Sequence, residues 1–328
     1  MKRIFSILFL LLLIVGTWYI LKGAKYRVAE GPVFGTTYRV KYEATEDLAY
    51  AIEQELQRVD GALSMFNDSS TLSLFNKTGE VKQKDAYFDA VVRLALRISA
   101  ETGGAFDITV APLVEAWGFG RSDKAVPSAE KLDSLMPHIG AHHLTYDERR
   151  NLLRRDDAGV MIDCAAIAKG YAVDCIAALL RKHGVSNYMV EIGGEVSVSG
   201  HNDKGHAWKV GIARPTTGSN AVQGETEHIL TLRGKALATS GNYHNYYEVD
   251  GRRYAHTIDP HTGRPVQHDV LSATVIAPTC AEADAYATAF MVMGREKARA
   301  FVKAHKALKA YLIYAKPGGE LATDSIGQ

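Results

Sequence analysis

Two oxygen-bearing side chains in the C-terminal third of the chain have the spacing of a cation site. In "AEADAYATAF", Asp284 and Thr288 are four residues apart, so they share one face of a predicted helix. A carboxylate and a hydroxyl suit a hard cation such as Mg²⁺, which prefers oxygen ligands. The same pair often bonds to itself or to the backbone instead, so the spacing alone leaves both interpretations open.

A second segment has the composition of a ligand-binding helix start. In "IDCAAIAKGYAVDCIAALL", apolar residues recur at the helical period from Ile167 onward, which predicts an amphipathic helix that begins soon after Asp163. Its first turn lacks bulk, because it opens with Cys164, Ala165 and Ala166. They permit close approach to backbone N–H groups that favour an anion. Tight packing against another helix through Ala and Gly is the alternative.

Two loop segments complete the set of candidate site residues. "EIGGEVSVSG" places Gly193 and Gly194 between strand-like runs, either as a tight hairpin turn or as a point where a flat ligand approaches the backbone. The segment 239–266 combines hydroxyls and aromatic rings with His256 and Asp259, and its Asp-Gly and Asp-Pro pairs predict turns. Loops with this composition often carry binding or catalytic residues.

Other function classes are disfavoured by composition and by missing motifs. The chain of 328 residues has 38 basic and 37 acidic residues, which gives no electrostatic reason to expect nucleic acid. It contains neither GxGxxG nor GxxxxGK[ST], and its twelve histidines form no HExxH or other zinc spacing. The cysteines are odd in number and widely spaced, so they are predicted to be core residues. They are Cys164, Cys175 and Cys280.

The N-terminus has the sequence of an export signal. Lys2 and Arg3 precede an apolar run over 4–21, which at about 1.5 Å per residue crosses most of a bilayer core. No small-x-small cleavage site closes the run, so a retained signal-anchor is favoured over a cleaved signal peptide. We therefore expect an anchor and linker over residues 1–29 and a catalytic body over 30–328, located on the periplasmic side of the inner membrane.

Helical and strand periodicities alternate irregularly along the body. Neighbouring strands separated only by turns favour antiparallel pairing, so the sequence predicts a mixed α+β fold rather than a doubly wound parallel sheet. Helices are predicted within 46–66 and over 87–102, 167–183, 281–293 and 295–305. Strands are predicted within 34–44 and over 188–192, 195–199, 207–212, 227–232 and 272–276.

An ordered series of segments from about Phe34 to Gly294 resembles one family, the FAD:protein FMN transferases of the ApbE type. The segments are "FGTTY", "ALSMFNDSSTLSLFN", "GGAFDITVAPLVEAWGFG", "IDCAAIAKGYAVD", "VEIGGEVSVSG" with "WKVGI", "ALATSGNY", "RYAHTIDPHTGRPV" and "ADAYATAF". Their order and their coverage of most of the body carry the resemblance.

The resemblance implies a residue set for FAD and for Mg²⁺. The flavin nucleotide would contact Phe34, Phe66, Ala116, Trp117, Gly118, Asp163, Lys169 and Ile258. The ion would be held by the backbone carbonyl of Ala166 and by the side chains of Asp284 and Thr288. The family usually has Gly-Gly where this chain has Ala165 and Ala166, which leaves a carbonyl ligand intact. It often has Met or Tyr at the positions of the two phenylalanines, and loss of a Tyr hydroxyl would alter flavin contacts.

The implied reaction is transfer of FMN from FAD to a Thr or Ser hydroxyl of another exported protein, with AMP as the leaving group. Mg²⁺ would neutralise the pyrophosphate, and His256 is the candidate base for the incoming hydroxyl because histidine accepts protons near neutral pH. Magnesium-dependent hydrolysis of FAD to FMN and AMP would use the same site. An exported flavin carrier without chemistry would need neither the metal pair nor His256.

Overall fold

The structure, a computed structural model, describes residues 13, 23–82, 85–147, 149–215, 226–242, 246–249 and 251–327. The predicted signal-anchor lies outside these residues except for Leu13. Within the described part of the chain, no helix has both the length and the apolar character that crossing a bilayer requires.

The strands are short and are joined mostly by tight turns. In chain order they are β1 (Lys25–Val33), β2 (Thr36–Ala44), β3 (Glu80–Lys82), β4 (Leu144–Asp147), β5 (Leu152–Arg155), β6 (Tyr188–Ile192), β7 (Glu195–Ser199), β8 (Trp208–Ala213), β9 (Thr226–Leu232), β10 (Ala236–Gly241), β11 (Tyr246–Val249), β12 (Arg252–Ala255), β13 (Ile258–Asp259), β14 (Arg264–Pro265), β15 (Val270–Ala277), β16 (Lys309–Ala315) and β17 (Leu321–Ile326).

One large sheet organises the body. Its eight strands lie in the order β1-β2-β6-β7-β10-β15-β16-β17, and every pairing between its neighbours is antiparallel. The smaller sheets are β3-β5-β4, β8-β9, β11-β12 and β13-β14. The predicted mixed α+β fold with mostly antiparallel strands is therefore confirmed. Because β1 begins at Lys25 and pairs along its length with β2, the predicted division at residue 30 falls inside this hairpin.

The helices of the described residues pack mainly on one face of this sheet. They are α1 (Ala49–Leu63), α2 (Thr71–Thr78), α3 (Ala86–Glu101), α4 (Ala111–Ala116), α5 (Ala129–Leu135), α6 (Ala165–Lys182) and α7 (Cys280–Ala304), with single 3₁₀ turns at Met136–His138 and Ala141–His143. Gly294 inside α7 has φ 73° and ψ 176°, which kinks the helix at the break predicted between residues 293 and 295.

Two hydrophobic cores fill the faces of the sheet. The larger lies between the sheet and the helices α1, α3, α6 and α7, and it includes Val40, Ile52, Phe88 and Phe290. The smaller lies on the other face, where Trp208 and its neighbours on β8-β9 cover it. Residues on alternate positions of β6 and β7 therefore point to different cores, which explains why no residue of either strand is exposed. Cys164 and Cys280 are buried, Cys175 is partly buried, and all three are free thiols.

Candidate active site

A cavity of about 860 Å³ opens among the loops and the first turn of α6, and it collects most of the residues predicted for the site. The predicted residues that line it are Asp163, Ala166, Lys169, His256, Ile258, Asp284 and Thr288. They come from three separate stretches of sequence, which the crossing of α6 and α7 and the loop after β12 bring together. The volume is of the size that holds a large organic ligand.

A second cavity of about 450 Å³ adjoins the first, and Asp163 and Lys169 line both. Phe34 and Phe66 line this smaller cavity. Phe34 lies in the turn between β1 and β2 at φ 49°, a left-handed conformation that is strained for a bulky side chain and that often marks a functional position. Phe66 is 70% exposed, and the Arg121 guanidinium lies 5.9 Å from its ring centroid.

The first turn of α6 forms the wall between the two cavities. Asp163 precedes the helix, and its Oδ1 accepts a hydrogen bond of 2.7 Å from the Ala165 N–H. Burial raises the pKa of Asp163, with a smaller contribution from the negative charge of Glu115, while this hydrogen bond opposes the shift. Ala165 lines both cavities and Ala166 lines the larger one. The small side chains of this turn thus leave the backbone accessible from the cavities.

The same helix also packs closely against α7. Tight helix packing, the alternative explanation for the small residues of α6, therefore applies one turn later. At Gly170, an added Cβ would lie 2.3 Å from the Cys280 carbonyl oxygen, far inside van der Waals contact. The Gly170 N–H donates to Asp284 Oδ2 over 3.0 Å, which fixes the orientation of that carboxylate. The absence of a side chain at Gly170 therefore sets the position of the proposed metal ligand on α7.

A buried carboxylate of α6 also secures the N-terminus of α7. Asp174 Oδ1 accepts from the Cys280 N–H and Oδ2 from the Ala281 N–H, each at 2.9 Å. Burial raises the pKa of Asp174 to about 6, although these two hydrogen bonds oppose the shift. Two independent contacts, at Gly170 and at Asp174, hold α7 in register with α6.

Two buried carboxylates and one ammonium group meet at the wall of the larger cavity. Lys169 Nζ lies 2.7 Å from Glu195 Oε1 and 3.9 Å from Asp284 Oδ2. Burial alone would lower the pKa of Lys169, but the negative charges of Asp284 and Glu195 outweigh it and raise that pKa. Burial and the charge of Asp284 raise the pKa of Glu195 to about 7, and Lys169 opposes this shift.

The donor set fits a hard cation. Asp284 is 4% exposed, and it shares the cavity wall with the hydroxyl-bearing Thr288 and with Ala166. Among the described residues, no group of three or more His, Cys, Asp or Glu side chains could hold a metal ion. Mg²⁺ takes few protein ligands and draws the rest from phosphate and water. A carboxylate, a hydroxyl and a carbonyl satisfy that requirement.

His256 enters the larger cavity from the loop between β12 and β13. The backbone after it is fixed, because Thr257 Oγ1 donates to Asn242 Oδ1 over 2.7 Å and the Thr257 carbonyl accepts from Val266 N–H. The His256 ring meets the Phe119 ring edge-on at 6.4 Å. A histidine held in this way can accept a proton from a ligand in the cavity.

The segment "AWGFG" contributes to the site through a residue that the sequence did not single out. Phe119 lines the larger cavity, whereas Ala116, Trp117 and Gly118 line neither cavity. Trp117 is buried in a separate small core, and its Nε1 donates to the Gly263 carbonyl over 2.8 Å. The contact that the resemblance implies for these three residues stays a prediction.

Glu195 is the second functional candidate that sequence reasoning missed. It follows Gly193 and Gly194, which form the two-residue turn between β6 and β7 with φ 59° and 100° and also line the larger cavity. The hairpin turn is therefore confirmed, and the approach of a flat ligand to these glycines stays a prediction. The sequence carries no local signal for Glu195, because the alternation in "EVSVS" places it on the same face as Ser197 and Ser199, which predicts a polar face.

The chain matches the ApbE family over residues 34–312. It is 39% identical to the FAD:protein FMN transferase of Escherichia coli K12, over 90% of this chain and 86% of that protein. Its structure is similar to the flavin transferase ApbE from Vibrio cholerae, with a TM-score of 0.81, 36% identity, and coverage of 92% and 97%. The apo Pseudomonas stutzeri flavinyl transferase ApbE gives a TM-score of 0.82 at 34% identity, with coverage of 92% and 95%.

Proposed function

The chain belongs to the ApbE family, and we propose that it catalyses magnesium-dependent transfer of FMN from FAD to a Thr or Ser hydroxyl of an acceptor protein, releasing AMP. The transferase activity rests on relatives that carry the name FAD:protein FMN transferase at up to 39% identity. The observation that carries the finer proposal is the juxtaposition of oxygen donors, a lysine ammonium and a histidine around one cavity.

The residues of the cavity have separable roles in this reaction. Asp284, Thr288 and the Ala166 carbonyl would hold Mg²⁺, which when bound neutralises the pyrophosphate and stabilises the AMP leaving group. Lys169 supplies a second positive charge to the phosphates. Asp163 lies between the two cavities, where a nucleotide that spans both would cross.

The chemical step needs little covalent help from the protein. The acceptor hydroxyl oxygen forms a bond to the phosphorus of the FMN half, and the bond from that phosphorus to the AMP oxygen breaks. His256 accepts the hydroxyl proton, and AMP leaves as the phosphate monoester. In this assignment Phe119 packs against the His256 ring and restricts its orientation.

The experiment that tests this function uses the purified full-length protein with FAD, Mg²⁺ and a candidate acceptor protein. Covalent flavin fluorescence on the denatured acceptor and release of AMP in equal amounts are expected. Free FMN and AMP without a fluorescent acceptor would instead indicate hydrolysis of FAD. Binding of FAD without release of AMP would indicate a carrier.

The variant His256→Asn separates binding from chemistry. A general base contributes about 10²- to 10⁴-fold to rate and little to ground-state affinity. We expect FAD and Mg²⁺ binding near wild type and single-turnover AMP release slowed by about two orders of magnitude or more. Unchanged single-turnover release would remove His256 from the mechanism.

We also propose that the protein acts outside the cytoplasm, anchored in the inner membrane by its N-terminal segment, with an exported protein as the acceptor. The support for this is the sequence: two basic residues, an apolar run over 4–21 and no small-x-small cleavage site. Fusion of a reporter enzyme that is active only in the periplasm to the C-terminus tests the orientation. An inactive reporter with stable expression would contradict it.

A further inference from the structure

The proposed reaction assigns no role to Oε2 of Glu195. The residue is 2% exposed, and its Oε1 is held by Lys169. Its Oε2 is buried and has no hydrogen-bond partner among the described residues. An unsatisfied buried carboxylate oxygen is costly, so its presence calls for a donor from a bound ligand or water.

The position of Oε2 makes it reachable from the cavity. Glu195 begins β7 directly after the turn, and Val196 faces the opposite core, so the Glu195 side chain lies on the helix-covered face. An added Cβ at Gly193 would lie 3.4 Å from Oε2. The same Cβ would lie 2.9 Å from Thr36 Cγ2 and 3.3 Å from Thr36 Oγ1. Gly193 is exposed, and Thr36, Gly193 and Glu195 all line the larger cavity, so this oxygen lies beside the part of the cavity wall that these residues form.

The geometry indicates which part of a flavin nucleotide would supply the donor. Asp163 and Lys169 line both cavities, whereas Glu195 lines only the larger one. The larger cavity also contains His256, beside which the FMN phosphorus must react, and its volume suits the three-ring flavin. Phosphate oxygens beside the ion carry no donors. The donors next to the phosphate on the flavin side are the hydroxyls of the ribityl chain.

We propose that Glu195 is a flavin-recognition residue whose Oε2 accepts a hydrogen bond from a ribityl hydroxyl of the bound nucleotide, while Oε1 holds the Lys169 ammonium toward the phosphates. This assignment rests on the proposed function, because it takes FAD as the occupant of the cavity. It makes Glu195 select for the FMN half of the substrate, which is the half that is transferred.

The test compares ligands that share or lack the ribityl chain. Affinities of the full-length protein for FAD, FMN and ADP are measured by calorimetry at pH 8, with the melting temperature of the ligand-free protein as a second readout. Glu195→Gln keeps the shape of the side chain but presents a donor where Oε2 would accept. Glu191→Gln is the matched control, because Glu191 lies on the preceding strand and lines neither cavity.

Hydrogen bonds to charged groups are strong enough that Glu195→Gln should weaken FAD and FMN binding about tenfold or more. Affinity for ADP should stay within about twofold of wild type. The melting temperature of the ligand-free variant should fall, because the substitution removes the negative charge that is paired with the buried Lys169 ammonium. Glu195→Asp keeps the charge but withdraws the oxygen by one methylene, so it should show the same loss for FMN. Glu191→Gln should change none of these values.

Three results would overturn the assignment. Unchanged FMN affinity in Glu195→Gln would mean that Oε2 accepts nothing from the ligand. Equal losses of affinity for ADP and for FMN would reduce the residue to a support for Lys169 or for the fold, whatever the change in melting temperature. Wild-type FMN affinity in Glu195→Asp would assign the effect to charge alone. Absence of FAD binding in the wild-type protein would instead refute the proposed function.

Discussion

The substitution Gly170→Ala should destabilise the protein, although alanine is the better helix former. In a helix interior Ala is favoured over Gly by about 1 kcal/mol. At this site, however, the new Cβ would lie 2.3 Å and 2.7 Å from the carbonyl oxygen and carbon of Cys280 and 2.8 Å from Asp284 Cβ. Two of these atoms are backbone, so relief requires that α7 move by about 1 Å away from α6. Overpacking of this kind costs about 1–3 kcal/mol, so after the gain in helix propensity we expect a net loss of up to about 2 kcal/mol in the free energy of unfolding.

Gly61→Ala is the matched control. Gly61 lies in the last turn of α1, and no heavy atom lies within 4 Å of a Cβ built there. The same substitution should therefore raise the free energy of unfolding by about 0.5–1 kcal/mol. Urea unfolding of both variants measures whether each substitution raises or lowers the free energy of unfolding. If Gly170→Ala proved as stable as Gly61→Ala, the close contact between α6 and α7 at Gly170 would be refuted.

The Gly170 substitution has a second consequence, at the proposed metal site. Displacement of α7 would lengthen the hydrogen bond from Gly170 N–H to Asp284 Oδ2 and move the carboxylate from the Ala166 carbonyl. The concentration of Mg²⁺ needed for half-maximal AMP release should rise in Gly170→Ala and stay unchanged in Gly61→Ala. A destabilised Gly170→Ala protein with normal Mg²⁺ dependence would show that the crossing does not position the ion.

Three further predictions follow from the contacts of single side chains. Asp284→Ala should abolish Mg²⁺-dependent AMP release and Thr288→Ala should reduce it less; full activity of Asp284→Ala at limiting Mg²⁺ would place the ion elsewhere. Because the pKa of Asp174 is raised from 3.8 to about 6 in the folded protein, its ionisation opposes folding: this contribution to stability is highest below pH 3.8 and is lost as pH rises through about 6. Asp174→Asn should remove that part of the pH dependence measured by urea unfolding, and an unaltered curve would contradict it. Trp117→Phe should lower the free energy of unfolding by about 1–3 kcal/mol through the lost bond to Gly263, with FAD affinity unchanged; weaker FAD binding at normal stability would support the flavin contact implied by the resemblance.

Elements with a strong local pattern were predictable from the sequence. The helix predicted over 87–102 is observed at Ala86–Glu101, and the strands predicted over 188–192 and 195–199 have the observed bounds. The break at Gly294 was predictable because glycine interrupts two helical periods. The edge strands β1 and β17 were not predicted. They present mixed polar and apolar residues, and only pairing with a neighbour defines them.

The site was predictable where one side chain carries the chemistry, and it was missed where the chemistry depends on a distant partner. Asp284 and Thr288 were candidates because of their i, i+4 spacing, and His256 because its side chain accepts protons near neutral pH. The structure places all three at one cavity. Glu195 has no such local pattern. Its importance follows from Lys169, 26 residues earlier in the chain, which α6 brings to 2.7 Å from its Oε1. Pairing across elements of this kind leaves no periodic signal in one sequence.

The resemblance implies Gly-Gly at residues 165 and 166, where this chain has Ala165 and Ala166, and the structure shows what the two methyl groups contact. Ala165 is exposed and lines both cavities, whereas Ala166 is partly buried, lines the larger cavity and also packs against the main core. Neither methyl group replaces the backbone carbonyl of residue 166, so alanine keeps that candidate ligand. One turn later, at Gly170, a methyl group would collide with the backbone of α7. Small residues in the first two turns of α6 thus serve two different contacts: alanine is accommodated beside the cavities, and glycine allows the close approach of α7.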